Sequence, residues 1–412
     1  MSSVDLTKIA ARDAEDPPAQ FREQFQLRDG LIYLDGNSLG ALPKASITRM
    51  AHAVTGEWGE GLITSWLGAE WVSAPRRVGD KIGALIGAKP GEVIAADSTS
   101  INIFKALAAA LSLRPDRGVI LSESTNFPTD VYMMQGLEAF SGGRIKSVTV
   151  APEAIMEALD ETVAALLLTQ VHYKSGLVRD MAEITRRAHE MGVLVIWDLS
   201  HSAGAIEVDL NAADADFAIG CGYKFLNGGP GAPAYIYVAE RHQSAVQPLS
   251  GWFGHARPFA FEEEYTPAPG IERFLCGTPQ VLGLAALECG VDIFGRADMA
   301  EVRRKSLQLS TVFMEMMDEL CAEFGFSLIS PRDPALRGSQ IAYTHPYGYE
   351  IMQALKERDV IGDFRAPDVL RFGLTPLYLR FQDIIDAVER LSDICKTKAW
   401  DKPHYRERAQ VT

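Results

Sequence analysis

The chain has 412 residues, 47% of them apolar and 23% charged, the composition of a globular protein long enough for two or three domains. Its net charge of −14 argues against nonspecific binding to nucleic acid or to anionic membranes, both of which need a basic face. The longest apolar stretches, such as Val163–Leu168, are far too short to span a bilayer.

The chain opens on a polar segment with a Pro17-Pro18 pair, read as an N-terminal arm over residues 1–45. It lacks a basic n-region and an apolar h-region, so no secretory signal is expected. Two periodicities then alternate. Aliphatic runs at Val93–Ala95, Val119–Leu121, Ile145–Val150, Ala164–Leu168, Val193–Trp197 and Phe217–Gly220 predict strands. Helical patterns lie between them at Asn102–Leu111, Thr129–Phe140, Pro152–Leu159 and Met181–Met191. This rhythm predicts an α/β domain over residues 46–285 built on a mostly parallel, doubly covered sheet. Ala297–Phe324 reads as one long amphipathic helix. Short strands (Ser327–Ile329, Gln340–Thr344, Val369–Gly373) and helices (Gly348–Arg358, Asp383–Lys396) follow, predicting a smaller α+β domain over residues 286–412. The five cysteines are scattered with no C-x-x-C pair, which fits a reducing cytoplasm. The eight histidines form no H-E-x-x-H motif and no close pair, so no metal site is expected.

Ligands of open α/β sheets bind beyond the carboxyl ends of the strands. After Val193–Trp197 comes Asp198, with Leu-Ser-His201 behind it; after Phe217–Gly220 comes Cys221-Gly222-Tyr223-Lys224. Taken singly, Asp198 reads equally well as a turn cap and Lys224 as a solvated lysine. Together they are separated by one strand–connection–strand step, which aims a carboxylate and an amine into one cleft. Pyridoxal phosphate chemistry needs that pair: a lysine to carry the cofactor and an acid to keep the pyridine nitrogen protonated. Asp97-Ser98-Thr99-Ser100 follows a strand and opens a helix, a seat for a phosphate or simply a Ser/Thr cap. Asn126-Phe127-Pro128-Thr129-Asp130 offers a ring to stack and an acid, or an ordinary helix start. Asn227-Gly228-Gly229-Pro230-Gly231 has no phosphate-loop spacing and reads as a tight turn leading away from Lys224.

These residues resemble the fold-type I pyridoxal phosphate enzymes, in the branch of class V aminotransferases and cysteine desulfurases. Leu34-Asp35-Gly36-Asn37-Ser38-Leu39-Gly40, Gly222–Gly231 and Gly251-Trp252-Phe253-Gly254-His255 together resemble the kynureninase family. The resemblance implies pyridoxal 5'-phosphate as cofactor and hydrolysis of L-kynurenine to anthranilate and L-alanine, in tryptophan and kynurenine catabolism. It implies Lys224, Tyr223 and Asp198 as catalytic residues. It assigns Thr99, Ser100, Phe127, Asp130, Thr169, His201, Trp252 and Thr278 to the cofactor, beside those three. It assigns Arg371 to the substrate α-carboxylate, with Asn37, Trp66, Gly277 and Thr278 also at the substrate. A bulky Trp66 in place of a polar partner favours unsubstituted kynurenine over 3-hydroxykynurenine. A homodimer with shared active sites is expected. The alternative is an aminotransferase or cysteine desulfurase of the same fold. A desulfurase needs a nucleophilic cysteine on a mobile loop, and Cys321 and Cys395 both fall in helical patterns.

Overall fold

The computed structural model describes residues 11–408. The chain enters through a 3-10 helix, Pro17–Gln24, and a two-residue strand β1 (Ile32–Tyr33). The central sheet holds β2 (Val93–Ala95), β3 (Val119–Glu123), β4 (Lys146–Val150), β5 (Val163–Thr169), β6 (Leu194–Asp198), β7 (Phe217–Gly220) and β8 (Tyr235–Val238). Their order is β2-β8-β7-β6-β5-β3-β4. The strands from β3 to β7 pair in parallel. Only β8 runs against its neighbours, antiparallel to both β2 and β7. Every residue of β5 and β6 is buried, as expected of central strands covered on both faces. Successive side chains feed two separate cores. Leu166, Leu168, Val195 and Trp197 join one, and Leu167 and Ile196 join the other. The edge strand β4, Lys-Ser-Val-Thr-Val, is half exposed.

Two expectations need correction. Tyr235–Val238 was not expected as a strand; it is a four-residue run hidden behind the Asn227–Gly231 turn, which returns the chain antiparallel. Asn227, Gly229 and Gly231 all take positive φ (57°, 83° and 73°), so the turn reading holds. Pro152–Leu159 is no α-helix: only Pro152–Ala154 forms a 3-10 turn. The segment is too short to repay helix nucleation, and Asp160 closes it by accepting from the N–H of Thr162 at 2.8 Å.

Helix Val281–Phe294 crosses the expected boundary at residue 285 and is followed by the long helix Met299–Phe324, capped by Asp298. The C-terminal part continues with β9 (Ser327–Leu328), β10 (Gln340–Thr344), β11 (Val360–Ile361), β12 (Asp363–Arg365) and β13 (Val369–Gly373). Four of these form an antiparallel sheet in the order β12-β13-β10-β9, packed with helices Gly348–Lys356 and Phe381–Lys396. The N-terminal strand β1 pairs in parallel with β11, stitching the entry of the chain to its last third.

At the amino end of β7, away from the cleft, buried Asp216 receives His189 Nε2 and His242 Nε2, each at 2.8 Å, and Arg241 at 2.9 Å. Burial works to raise this carboxyl, but the hydrogen bonds from His189 and His242 pull it below the usual carboxylate range. The hydrogen bond to Asp216 holds His189 above the ordinary imidazole value. The carboxylate's contribution is present above the unfolded Asp value, near about 3.9, and is lost as pH falls through the folded one. The imidazolium's contribution is full below about 6.5 and is lost as pH rises through its raised folded value. Asp216→Asn is therefore expected to cost about 3 kcal/mol near pH 5.5, and less at pH 9. Urea unfolding at the two pH values checks this; an equal loss at both would remove His189 from the account.

Candidate active site

The carboxyl ends of β5, β6 and β7 open into a cleft of about 460 Å³. Nine of the expected site residues line it: Thr99, Ser100, Phe127, Asp130, Thr169, Asp198, His201, Tyr223 and Lys224. Parallel pairing places each where it is. Asp198 is the last residue of β6, in register with Thr169 on β5 and with Ile219 on β7. The chain leaving β7 then carries Tyr223 and Lys224 over the same opening.

Lys224 Nζ lies 3.0 Å from His201 Nε2 and 5.7 Å from the centre of the Phe127 ring. Asp198 accepts from the Ser200 backbone N–H at 2.8 Å, so it does cap the following turn as well as facing the cleft. Burial pushes the Asp198 carboxyl up, against that hydrogen bond and the charge of Lys224. Burial, and then the nearby charge of Asp198, push Asp130 well above the usual range. Burial, with Lys224 and Arg371 nearby, holds the His201 imidazole well below its usual value. Burial raises the Tyr223 phenol. Helix Thr99–Leu113 points its N-terminus at the cleft, with Ser98 as its cap. One acid and one hydroxyl of the cleft are left with unpaired buried atoms: both carboxylate oxygens of Asp130, and Thr169 Oγ1. Buried polar atoms without partners are costly, so the cleft is built around a polar, cationic-edged group that it does not itself supply.

The other expected residues do not line this cleft. Arg371, on β13, is 1% exposed rather than lying on an open strand. Its Nε donates to Asp363 at 3.0 Å, Nη2 also reaches Asp363 and Ser38, and Nη1 donates to the carbonyl of Tyr173, a cleft residue. Asn37 is fully buried, and its amide oxygen faces Gly373, where a Cβ would come within 2.0 Å. Trp66 packs on Phe253 with ring centres 5.9 Å apart, and Trp252 packs edge-on to Phe253 at 4.8 Å. Phe253 in turn donates its N–H to the Cys276 carbonyl at 3.2 Å, beside exposed Gly277 and Thr278.

Several residues of the site carry no motif. Tyr173 lines the cleft four residues beyond β5, where reading past the strand end would have found it. Gln340 on β10 sets its amide oxygen 2.8 Å from His201 Nδ1, and Asp363 on β12 grips Arg371; nothing in their local sequence marks them. Neither cysteine weighed as a desulfurase nucleophile lies on a loop. Cys221 is buried in the cleft wall, and burial raises its thiol. Cys321 and Cys395 sit in helices Met299–Phe324 and Phe381–Lys396, and burial pushes Cys395 up to about 12.

Residues 302–391 match the kynureninase C-terminal domain, and residues 76–214 match the DegT/DnrJ/EryC1/StrS aminotransferase family. The fold is shared with a cysteine desulfurase from Thermococcus onnurineus NA1, at a TM-score of 0.77 and 19% identity over 96% of this chain and 100% of that one. A C-DES mutant with glycine covalently linked to its pyridoxal phosphate cofactor matches at 0.79 and 18%, over 90% of this chain and 99% of that one. Those identities carry the fold alone. Sequence carries more: a kynureninase of Burkholderia pseudomallei (strain K96243) is 51% identical over 98% of both chains. A kynureninase of Pseudomonas fluorescens is 48% identical over the same share. Near-complete overlap at half identity, on a cleft that joins Asp198 to Lys224, places this chain in the kynureninase family.

Proposed function

We propose that this protein is a pyridoxal phosphate enzyme that hydrolyses L-kynurenine to anthranilate and L-alanine. The observation that carries the reading is buried Asp198 and half-buried Lys224 beyond the carboxyl ends of adjacent parallel strands, in a chain half identical to kynureninases throughout. The unpaired atoms of Asp130 and Thr169 and the raised carboxyl of Asp198 suit a bound pyridinium edge. Thr99, Ser100 and the helix N-terminus behind them suit its phosphate. Phe127 suits the face of its ring. Bound there, pyridoxal phosphate supplies an electron sink next to the substrate's α- and β-carbons.

The remaining steps belong to the protein. Lys224 Nζ would carry the cofactor and serve as the base for the substrate's α-proton. Asp198 would set its negative charge against the ring nitrogen. His201 is neutral, so it accepts a hydrogen bond from Lys224 without adding charge to the cleft. Burial keeps the Tyr223 phenol protonated at neutral pH, which suits it to donate a proton rather than to take one. Asp363 aligns Arg371 through Nε and Nη2, and the Nη1 edge meets the cleft at Tyr173. Arg371 there receives the substrate carboxylate. Arg371→Ala is expected to raise KM by about 10- to 150-fold, the equivalent of about 1.5–3 kcal/mol, with a smaller change in kcat. Steady-state kinetics check this beside a melting curve; an unchanged KM takes Arg371 out of the carboxylate site.

Trp66, Trp252, Gly277 and Thr278 are assigned to a homodimer with shared sites. What supports this is their position: Trp66 and Trp252 both pack on Phe253, whose N–H donates to the carbonyl of Cys276, next to Gly277 and Thr278, and Gln280, two residues after Thr278, lines the cleft itself. Trp66 then meets the aryl ring of substrate in the partner copy. A preference in kcat/KM for kynurenine over 3-hydroxykynurenine of about tenfold or more follows, and a preference for the hydroxylated substrate overturns it. No helix among the described residues is long and apolar enough to cross a membrane, and the scattered free cysteines support a cytoplasmic setting.

The experiment that tests the function loads the purified protein with pyridoxal phosphate and adds L-kynurenine with no keto acid. Anthranilate fluorescence is expected to grow with alanine in equal amount. No anthranilate from a protein that binds the cofactor would discard the hydrolase reading in favour of transamination.

A further inference from the structure

Gln340 lies on β10, in the C-terminal sheet, in register with Gly373 on β13 two residues beyond Arg371. Its side chain crosses to the large domain. There its amide nitrogen lies 2.8 Å from the carbonyl of Tyr173 and 3.3 Å from that of His172. Carbonyl oxygens only accept, so the NH₂ end of the amide must face them. The amide oxygen is thereby turned to His201 Nδ1, at 2.8 Å. An oxygen cannot donate, so Nδ1 must carry the imidazole hydrogen. The other ring nitrogen, Nε2, is left with its lone pair directed at Lys224 Nζ, 3.0 Å away.

We infer that Gln340 is a positioning residue that sets the tautomer of His201 and so keeps a hydrogen-bond acceptor, not a donor, against Lys224. The inference rests on the proposed role of Lys224 as carrier of the cofactor and as base. With the opposite tautomer, Nε2–H would face a lysine ammonium donor to donor, and the contact would be repulsive. The charged groups around His201 act in the same direction. Burial is the main force keeping the ring neutral; cationic Lys224 from the chain after β7, Arg371 on β13 and Arg365 on β12 add to it, and the hydrogen bond to Gln340 works against it. A neutral ring has one hydrogen, and Gln340 decides where it sits.

The same contact ties two sites together. The Tyr173 carbonyl accepts from Gln340 Nε2 and from Arg371 Nη1, using both its lone pairs. An unbroken chain thus runs from Arg371 through Tyr173, Gln340 and His201 to Lys224.

Two substitutions separate tautomer control from simple bridging of the domains. Gln340→Met keeps the length and removes both functions. Gln340→Glu keeps the acceptor for Nδ1 and loses the donors to the two carbonyls. The first readout is ¹⁵N-histidine NMR of the cofactor-free protein, with the His201 signals identified by their loss in His201→Asn. The wild type and Gln340→Glu are expected to hold the hydrogen on Nδ1, and Gln340→Met to lose that preference. The second readout is the pH titration of the visible absorbance of the cofactor-loaded protein without substrate. Its midpoint is expected to move by about half a unit or more in Gln340→Met. In turnover, kcat of that variant is expected to fall on the order of tenfold with KM within about twofold. A wild-type Nε2–H tautomer overturns the inference. So does a Gln340→Met protein with unmoved tautomer and midpoint, as does equal impairment of both variants with no change in tautomer, the mark of a bridge alone. The first two readouts need no kynurenine, so they stand apart from any failure of the proposed reaction.

Discussion

Replacing Lys224 by alanine is expected to abolish kynurenine hydrolysis, with kcat down by about 10⁴-fold or more, equivalent to about 5 kcal/mol of transition-state stabilisation. The size follows from the two tasks proposed for this amine, carrying the cofactor and taking the α-proton. No other amine among the cleft-lining residues can replace it: Lys224 is the sole lysine of the cleft wall. The visible absorbance of lysine-bound cofactor is expected to disappear, while the cofactor's phosphate is still held at Thr99 and Ser100. The fold is expected to survive, since among the described residues Nζ meets His201 and the faces of Phe127 and Tyr223, and otherwise acts on Asp198 and Asp130 through its charge alone. Stopped-flow kinetics and absorbance on the same preparation check this. Residual turnover within 100-fold of wild type would remove Lys224 from both tasks.

Replacing Asp198 by asparagine is expected to lower kcat by about 10²- to 10⁴-fold with the cofactor still bound. The change is nearly isosteric. The asparagine oxygen can keep the Ser200 N–H, which Asp198 accepts at 2.8 Å, so the turn after β6 is retained. What is lost is the charge proposed to keep a bound ring nitrogen protonated. Asp130 cannot replace it fully. Burial and the neighbouring Asp198 push the Asp130 carboxyl well up, and in the asparagine variant the burial remains. Rapid-mixing kinetics with α-deuterated kynurenine are the check, since slowed proton abstraction raises the isotope effect. A kcat near the wild-type value would refute the electron-sink role of Asp198.

The cleft was legible in the sequence to the extent that its residues follow strand ends. Asp198, Tyr223 and Lys224 fall where a buried aliphatic run stops and a polar group begins, and a parallel sheet must bring such ends together. Thr99 and Ser100 after β2, and Phe127 and Asp130 after β3, were found the same way, two strands out from β7 and from β6. Arg371 was reached only through resemblance. Its own segment, Leu-Arg-Phe-Gly, does not say whether the arginine is buried, and the structure puts it at 1% exposure against Asp363. Gln340 was missed because it acts on His201, 139 positions earlier; Asp363 lies only eight positions before Arg371, but the pairing of β12 with β13 that sets the two in register is not written in either strand's own residues.

By itself the amino-acid sequence determined the alternation of strands and helices, the doubly covered sheet and the family. It did so because periodicity, strand-end chemistry and motif spacing are local properties of the chain. The tertiary structure decided the antiparallel course of β8, the pairing of β1 with β11, the ion pair that fixes Arg371 and the tautomer of His201. Each of these depends on which distant segments meet. A hydrogen bond or ion pair between such segments is set by packing, and no local pattern of residues encodes the partner.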